Sequence, residues 1–434
     1  RADCSSRAEG ERGGVGRTAP AGLQPRRSDD FGGAAAHEGL CDSQDPPGGA
    51  GGLGSGRRVS GLARLPQRKA RKGNLRPPPR LSFPEGGGRG GARLVFFPQG
   101  FCLPEGLRPL SRRLEGRGWR LRTPGPPKPT LRSRCNIQQW DSEEPIPQAE
   151  LLAGVAGKDG LLCLLSDRID KEVLDAAGPS LKVISTLSVG YDHLAIDEIK
   201  KRGIRVGYTP DILTDATAEL TVALLLATSR RLPESVVEVK NGGWTTWKPL
   251  WMCGYGLSGS TVGIIGLGRI GQAIAYRLKP FGIKKFLYTG RHPKPEAAVE
   301  LKAEFVSLDK LAEESDFVIV TCSLVPETQG MCNRDFFRKM KKTSVFINTS
   351  RGAVVNQDDL YEALVNGQIA AAGLDVTTPE PLPTDNPLLS LKNCVILPHI
   401  GSATYSTRNT MSVLAANNLL AGLKGENMPS ELRL

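Results

Sequence analysis

No stretch of this chain approaches the roughly 20 consecutive apolar residues that a membrane-crossing helix needs. The apolar run Val222–Ala227 is short and reads as part of a core helix, so no membrane partner is expected. C-x-x-C pairs are also missing. The nine cysteines are scattered and odd in number, which argues against a disulfide frame or a zinc site and for a reducing compartment, the cytoplasm. No metal is expected. Acidic residues are scarce in one part only: residues 1–135 carry 26 Lys/Arg against 11 Asp/Glu, a balance of +15, while residues 136–434 balance at −3. The basic pI therefore belongs to the leading segment, and nucleic-acid binding by the body gets no support from charge.

The leading segment is short of everything a core requires. Residues 1–135 hold 26 of the 51 glycines and 16 of the 32 prolines, a composition expected of a low-complexity, mostly disordered extension. A transit peptide is a poor fit, because the first 50 residues carry eight acids against six bases. Inside the segment, Ala92–Phe97 reads as a strand and Leu107–Leu114 as a short helix.

From Asn136 the texture becomes globular. Gly160–Ser166, Leu181–Thr186 and Ile204–Tyr208 are expected strands. They alternate with helices at Lys171–Ala177 and Asp192–Arg202, which means a parallel sheet wrapped by helices. Thr214 or Asp215 is the expected cap of a long helix running to Arg231. Further strands are expected at Lys285–Tyr288, Phe317–Thr321, Ser344–Asn348, Ala370–Val376 and Cys394–Leu397. Helices fall between them at Leu308–Glu314, Asn333–Met340 and Gln357–Val365, and Ala403–Leu423 closes the chain.

The stretch Ser260–Gly271 organises this pattern. Thr261–Ile265 is an apolar, β-branched run, and Gly266, Gly268 and Gly271 follow in G-x-G-x-x-G spacing ahead of helix-forming residues. Strand, glycine turn and helix together are a dinucleotide-binding signal. Gly266 allows the tight turn, Gly268 lets backbone approach a pyrophosphate, and Gly271 lets helix and strand pack closely. The phosphates then meet free N–H groups at the helix N-terminus. Together with the strands that follow, Thr261–Ile265 gives a doubly wound sheet of about six strands. Cofactors of this kind that lack the 2′-phosphate meet an acid near the end of the second strand, whereas Tyr288–Lys294 has none and offers Arg291 and Lys294. NADP(H) is therefore expected in preference to NAD(H), with His292 and Pro293 in the same loop.

Reduction of a carbonyl by hydride needs a proton donor at the carbonyl oxygen, and His suits neutral pH. Of the four histidines, His37 lies in the low-complexity segment and His193 reads as a surface or capping residue at a helix start. His399 follows a strand directly, at the edge where open α/β sheets bind ligands. Arg351 and Glu380 follow two other strands at that same edge. The Arg fork suits a carboxylate, and Glu380 is placed to bond the far nitrogen of His399. Each alone has a bland reading as a surface charge; three at three strand ends do not.

The motifs Ser188–His193, Gly266–Gly271, Asn348–Gly352, Asp375–Pro381 and Leu397–Ser402 resemble those of the D-2-hydroxyacid dehydrogenase family over about residues 137–434. The resemblance implies two doubly wound α/β domains: a Rossmann cofactor domain at 213–404, and a smaller flavodoxin-like substrate domain at 136–212 and 405–434. It implies NADPH-dependent reduction of small 2-oxo acids such as glyoxylate and hydroxypyruvate. Arg351, Glu380 and His399 would be catalytic, with Val189, Gly190, Ser402 and Trp247 also at the substrate. Gly266, Gly268, Arg269, Ile270, Gly271, Ser323, Thr349, Asp375 and Gly401 would surround the cofactor, with the Arg291–Lys294 loop. A homodimer is implied, because Trp247 belongs to a segment with three tryptophans within eight residues, Trp244–Trp251, that crosses to the partner in related proteins. A well-anchored core loop is the other reading of that segment.

One departure stands out. Family members begin with a strand and helix that Thr123–Cys135 does not supply, and Arg93–Leu114 is the candidate substitute. Without it the small domain lacks an edge strand, and the chain would be an impaired product of a misassigned start. A dinucleotide-sensing corepressor on the same scaffold is the rival from another class. A formate dehydrogenase would carry Gln in place of Glu380, and a phosphoglycerate dehydrogenase a further C-terminal domain.

Overall fold

The computed structural model describes the backbone of Arg93–Phe96, and residues 135–140, 142 and 144–434 in full. The expected disorder of the leading segment and the helix Leu107–Leu114 lie outside the described residues. The described residues fall within one compact unit.

Two sheets form it. The smaller contains β1 (Arg93–Phe96), β2 (Asn136–Gln139), β3 (Gly160–Cys163), β4 (Val183–Thr186) and β5 (Arg205–Gly207). The larger contains β6 (Thr261–Ile265), β7 (Lys285–Thr289), β8 (Ala303–Phe305), β9 (Phe317–Val320), β10 (Val345–Asn348), β11 (Ala371–Leu374) and β12 (Cys394–Ile396). A final strand, β13 (Glu431–Leu432), returns to the smaller sheet. The orders are β13-β5-β4-β3-β1-β2 and β12-β11-β10-β9-β6-β7-β8, with every pairing parallel except β13 on β5. In each sheet the chain first builds to one side and then jumps back to the other, at β1/β3 and at β6/β9. That is the doubly wound pattern, and ligands bind at such switch points.

Arg93–Phe96 does stand in for the first strand. It is an interior strand rather than an edge, pairing Arg93 with Asn136 on one side and Leu94 with Gly160 on the other. The edge is β2, a polar strand whose side chains alternate between exposed and half-buried. The larger sheet has seven strands rather than about six, because β8, an Ala-Glu-Phe strand with no apolar run, adds an edge beside β7. Both edges escape a pattern search because a half-exposed edge needs no continuous hydrophobic stretch. The central strands are the opposite: β9 and β10 are buried at every position.

The helices are α1 (Gln148–Val155), α2 (Lys171–Ala177), α3 (Ile196–Lys201), α4 (Thr214–Ser229), α5 (Leu232–Lys240), α6 (Arg269–Leu278), α7 (Pro295–Leu301), α8 (Leu308–Glu314), α9 (Arg334–Lys339), α10 (Gln357–Val365) and α11 (Tyr405–Leu423). No described helix is long and apolar enough to cross a membrane. The core of the larger sheet includes Leu224 and Leu225 of α4 against Val262, Ile264 and Ile347. The C-terminal helix returns to the smaller sheet, where Met411, Ala415 and Leu419 pack with Leu162 and Val183. Asp170, Ser307, Asn333, Asn356 and Thr404 cap helices with side-chain oxygens. Neither Thr214 nor Asp215 caps α4: the cap is Leu213, without a side-chain bond. Asp215 instead lies in the first turn, where its charge suits the helix dipole, and pairs with Arg277 at 2.8 Å.

A second correction concerns Asp192–Arg202. Only Ile196–Lys201 is helical, because the preceding turn is captured by a neighbouring loop. Ile169 donates its N–H to the His193 carbonyl at 2.9 Å, and Ala195 donates to the Ile169 carbonyl at 2.9 Å. His193 is accordingly not a cap but a half-buried residue; its Nε2 lies 2.9 Å from Thr186 Oγ1. Burial disfavours its charged form, the nearby Asp192 opposes this and Arg351 reinforces it, and the pKa is pushed down from 6.5 to about 4.

This depressed value generates a test. Between pH 6.5 and about 4 the unfolded chain binds a proton at His193 that the folded chain refuses. Stability is therefore full above pH 6.5 and falls as pH drops through that window, by about 3 kcal/mol in all for a shift of this size. His193→Gln keeps a donor near the Nε2 position and removes the titration. Its melting temperature should fall less between pH 7 and pH 4.5 than that of the unmutated protein, and parallel curves would refute the assignment.

Candidate active site

Three loops at the C-terminal edge of the larger sheet carry the charged groups. Asn348, the last residue of β10, is fully buried and shapes the first. Its Nδ2 donates to the Arg351 carbonyl at 2.9 Å, and its Oδ1 accepts from the Ser350 N–H at 3.0 Å. The turn delivers Arg351, whose Nε donates to Asp192 Oδ1 at 2.9 Å and whose Nη1 donates to the Ser350 carbonyl at 2.9 Å. The Nη2 lies against Gly190, so closely that a Cβ there would overlap the guanidinium. A side chain at Gly190 would displace the guanidinium, so Gly190 and Arg351 do come together. Burial alone would raise the Asp192 pKa, but the charge and hydrogen bond of Arg351 outweigh it and hold the carboxyl below its ordinary value.

The second and third loops build an acid–base pair. His399 Nδ1 lies 2.8 Å from Glu380 Oε2, and Glu380 Oε1 accepts from the Thr377 N–H at 3.0 Å. Burial pushes the Glu380 carboxyl up, but the bond to His399, its charge, the Thr377 N–H and the Arg351 charge together bring it below its usual value. A carboxylate on Nδ1 fixes the ring orientation and leaves Nε2 as the nitrogen that faces a reactant.

His399 itself has φ 54, a left-handed conformation unusual outside glycine. The buried Asp375 holds that backbone: Oδ1 accepts from the Ile400 N–H and Oδ2 from the Gly401 N–H, both at 2.8 Å. Burial raises the Asp375 pKa, against the pull of these bonds and of His399. Asp375 and Gly401, expected around the cofactor, here hold the loop that carries His399. Ser402 follows, half-buried.

The glycine turn sits at the switch point between β6 and β9. Gly266 has φ 101, and a Cβ on it would stand 2.7 Å from the Cys322 nitrogen. A Cβ on Gly271 would strike the Gly266 carbonyl, whereas one on Gly268 would meet nothing within 4 Å. Gly268 is also the N-cap of α6 and offers no side-chain cap, so the first N–H groups of the helix are left for an anion. A closed turn, an open approach and uncapped N–H groups fit a dinucleotide pyrophosphate. Arg269 pairs with Asp211 at 2.6 Å on the surface, and Ile270 packs against the cores of both sheets. Arg291, His292, Pro293 and Lys294 are all exposed beyond β7, with the Lys294 N–H donating to Tyr288 Oη at 3.0 Å. Ser323 is exposed, while Thr349 is buried with its Oγ1 2.9 Å from Thr221 Oγ1.

Trp247 is not brought to this cluster within the chain. It is 79% exposed and forms no hydrogen bond or ring contact with the cluster. Among the described residues no group of His, Cys, Asp or Glu is arranged to hold a metal ion. A cavity of about 350 Å³ lies at the opposite, N-terminal ends of β11 and β12, lined by Thr228, Arg231 and Lys392 among others, away from these loops. Sequence reasoning passed over Asp192 and Asn348, although both stand inside motifs it had singled out.

The description "D-isomer specific 2-hydroxyacid dehydrogenase, NAD binding domain" matches residues 222–401. The chain is 75% identical over 300 residues to the human glyoxylate reductase/hydroxypyruvate reductase, covering 69% of this chain and 92% of that one. It is 47% identical over 304 residues to the glyoxylate reductase of Thermococcus kodakarensis, covering 69% of this chain and 90% of the relative. A solved Thermus thermophilus structure superposes with a TM-score of 0.65 at 45% identity, covering 70% of this chain and 95% of that one. The NADPH-dependent glyoxylate/hydroxypyruvate reductase of Sinorhizobium meliloti, solved with NADP and malonate, does so with a TM-score of 0.63 at 29% identity, covering 79% and 97%. The chain therefore belongs to the D-isomer specific 2-hydroxyacid dehydrogenase family and is an NAD(P)-dependent dehydrogenase.

Proposed function

We propose that the protein reduces small 2-oxo acids with NADPH, glyoxylate to glycolate and hydroxypyruvate to D-glycerate. The observation that carries this reading is the 2.8 Å pair of His399 Nδ1 and Glu380 Oε2, set at the same sheet edge as the Arg351 fork. The names of the similar human and Sinorhizobium proteins support the substrate class.

The bound cofactor supplies a hydride to the carbonyl carbon. The residues of the chain do the rest. Arg351 and the backbone of Val189-Gly190 hold the substrate carboxylate, with Ser402 beside it. Arg351 also stabilises negative charge developing on the carbonyl oxygen. His399 gives that oxygen a proton from Nε2, while ionised Glu380 stabilises the imidazolium and fixes its orientation. Residues 136–212 and 405–434, with β1, act as the substrate domain, and residues 213–404 as the cofactor domain. Gly266, Gly268, Arg269, Ile270 and Gly271 hold the pyrophosphate end, and Ser323, Thr349, Asp375 and Gly401 line the rest. The preference for NADPH rests on the acid-free, exposed Arg291–Lys294 loop. We also assign it to the cytoplasm, since Cys163, Cys253, Cys322, Cys332 and Cys394 are in no disulfide.

The homodimer is supported by α5, which buries none of its residues although Leu232, Val236, Val237 and Val239 are each more than half exposed. Trp244, Trp247 and Leu250 continue the apolar surface, at 60%, 79% and 85% exposed. Seven large apolar side chains left more than half exposed along residues 232–250 are what a partner surface would cover.

Two measurements follow. NADPH oxidation should proceed with both glyoxylate and hydroxypyruvate, and with NADH at lower kcat/KM. Arg291→Asp should lower kcat/KM for NADPH by about 10- to 100-fold, the loss of one or two charge-assisted contacts. Oxidation of neither cofactor would overturn the function, and faster NADH turnover would overturn the preference. Sedimentation at working concentration should give a dimer, and Trp247→Ala should change the glyoxylate-to-hydroxypyruvate ratio with NADPH affinity unchanged. A fully active monomer would refute the assembly.

A further inference from the structure

The Arg351 guanidinium presents three groups of donors, and two are committed within the protein. Nε is on Asp192 and Nη1 on the Ser350 carbonyl, each at 2.9 Å, which leaves Nη2 directed along Gly190. A planar guanidinium fixed at two points has no rotation left. Of the two contacts, Ser350 is the neighbour of Arg351 in sequence, whereas Asp192 is 159 residues away, on the loop after β4 of the other sheet.

That loop is itself held by a run of hydrogen bonds whose direction can be counted. Ser188 Oγ donates to the Gly190 carbonyl at 2.6 Å, so its single proton is used. The 2.8 Å contact of Thr186 Oγ1 with Ser188 Oγ then needs the Thr186 proton. The 2.9 Å contact of Thr186 Oγ1 with His193 Nε2 is left for a proton on His193. The chain therefore runs from His193 Nε2–H to Thr186, to Ser188, to the Gly190 carbonyl, with each group donating once. Residues on both sides of Asp192 are pinned, Gly190 by this chain and His193 by its bonds with Thr186 and Ile169.

We infer that Asp192 is a positioning residue, which holds Arg351 through Nε so that Nη2 is the arm presented to the substrate beside Gly190. The inference rests on reading Arg351 as the substrate anchor. It adds that the anchor on the cofactor side is aimed by an acid on the substrate side. The contact requires an acceptor oxygen at Oδ1, and Asn supplies one. The charge of Asp192 is secondary to its place.

Steady-state kinetics with hydroxypyruvate and NADPH separate this from a general structural role. Asp192→Ala should lose about 10- to 100-fold in kcat/KM for hydroxypyruvate, as a misplaced anchor does, with KM for NADPH unchanged. Asp192→Asn should recover to within about threefold of the unmutated protein. In an Arg351→Lys background, which has no Nε fork to hold, adding Asp192→Ala should cost less than about threefold further. Additive losses in that double variant, with Asp192→Ala folded as the unmutated protein is, would overturn the inference, as would an Asn variant impaired more than about tenfold, a readout that stands even where Asp192→Ala folds poorly. Arg351→Gln distinguishes the premise: if it leaves KM and kcat for hydroxypyruvate intact, the anchor reading itself fails. If it cripples the enzyme while Asp192→Ala does not, only the positioning inference fails.

Discussion

Parallel pairing is the constraint on which this molecule depends. Every strand of the seven-stranded sheet runs the same way, so every crossover must carry the chain back before the next strand begins. All strand C-termini consequently open at one edge. Arg351, Glu380 and His399 stand 48 residues or fewer apart in loops that never meet in sequence, yet parallel β10, β11 and β12 deliver them to one edge. The glycine turn follows β6 at that same edge, which puts cofactor and substrate chemistry together without a dedicated element for either.

What the sheet delivers, carboxylates hold. Asp375 fixes the left-handed backbone at His399, Glu380 fixes its ring, and Asp192 fixes the Arg351 fork. In each case both partners lie partly or wholly out of water, where an unpartnered charge is costly, so the pairings specify geometry as well as offsetting desolvation. Asn348 and the Ser188–Thr186–His193 chain do the same with neutral groups.

The interior of this architecture was legible because the buried parallel strands are continuous apolar runs; α2, α8 and α10 match their expected bounds residue for residue. The edges β2, β8 and β13 were not, since two to four residues of mixed polarity carry no periodic signal. The start of α3 misled because the bonds between Ile169 and residues 193–195 override local helix propensity. The site divides in the same way. Arg351, Glu380 and His399 could be found from their positions after strands. Asp192 could not be given its place, because its partner is 159 residues away, and His193 looked like a surface residue only while its burial was hidden.

The central claim is that His399 gives the carbonyl oxygen its proton. The direct measurement is kcat/KM for hydroxypyruvate reduction in His399→Gln, with NADPH affinity determined separately by quenching of protein fluorescence. The account predicts a loss of about 10²- to 10⁴-fold in kcat/KM, the usual worth of a positioned general acid, with the NADPH dissociation constant unchanged to within about threefold. Activity retained to within about tenfold, with the cofactor bound normally, would contradict it.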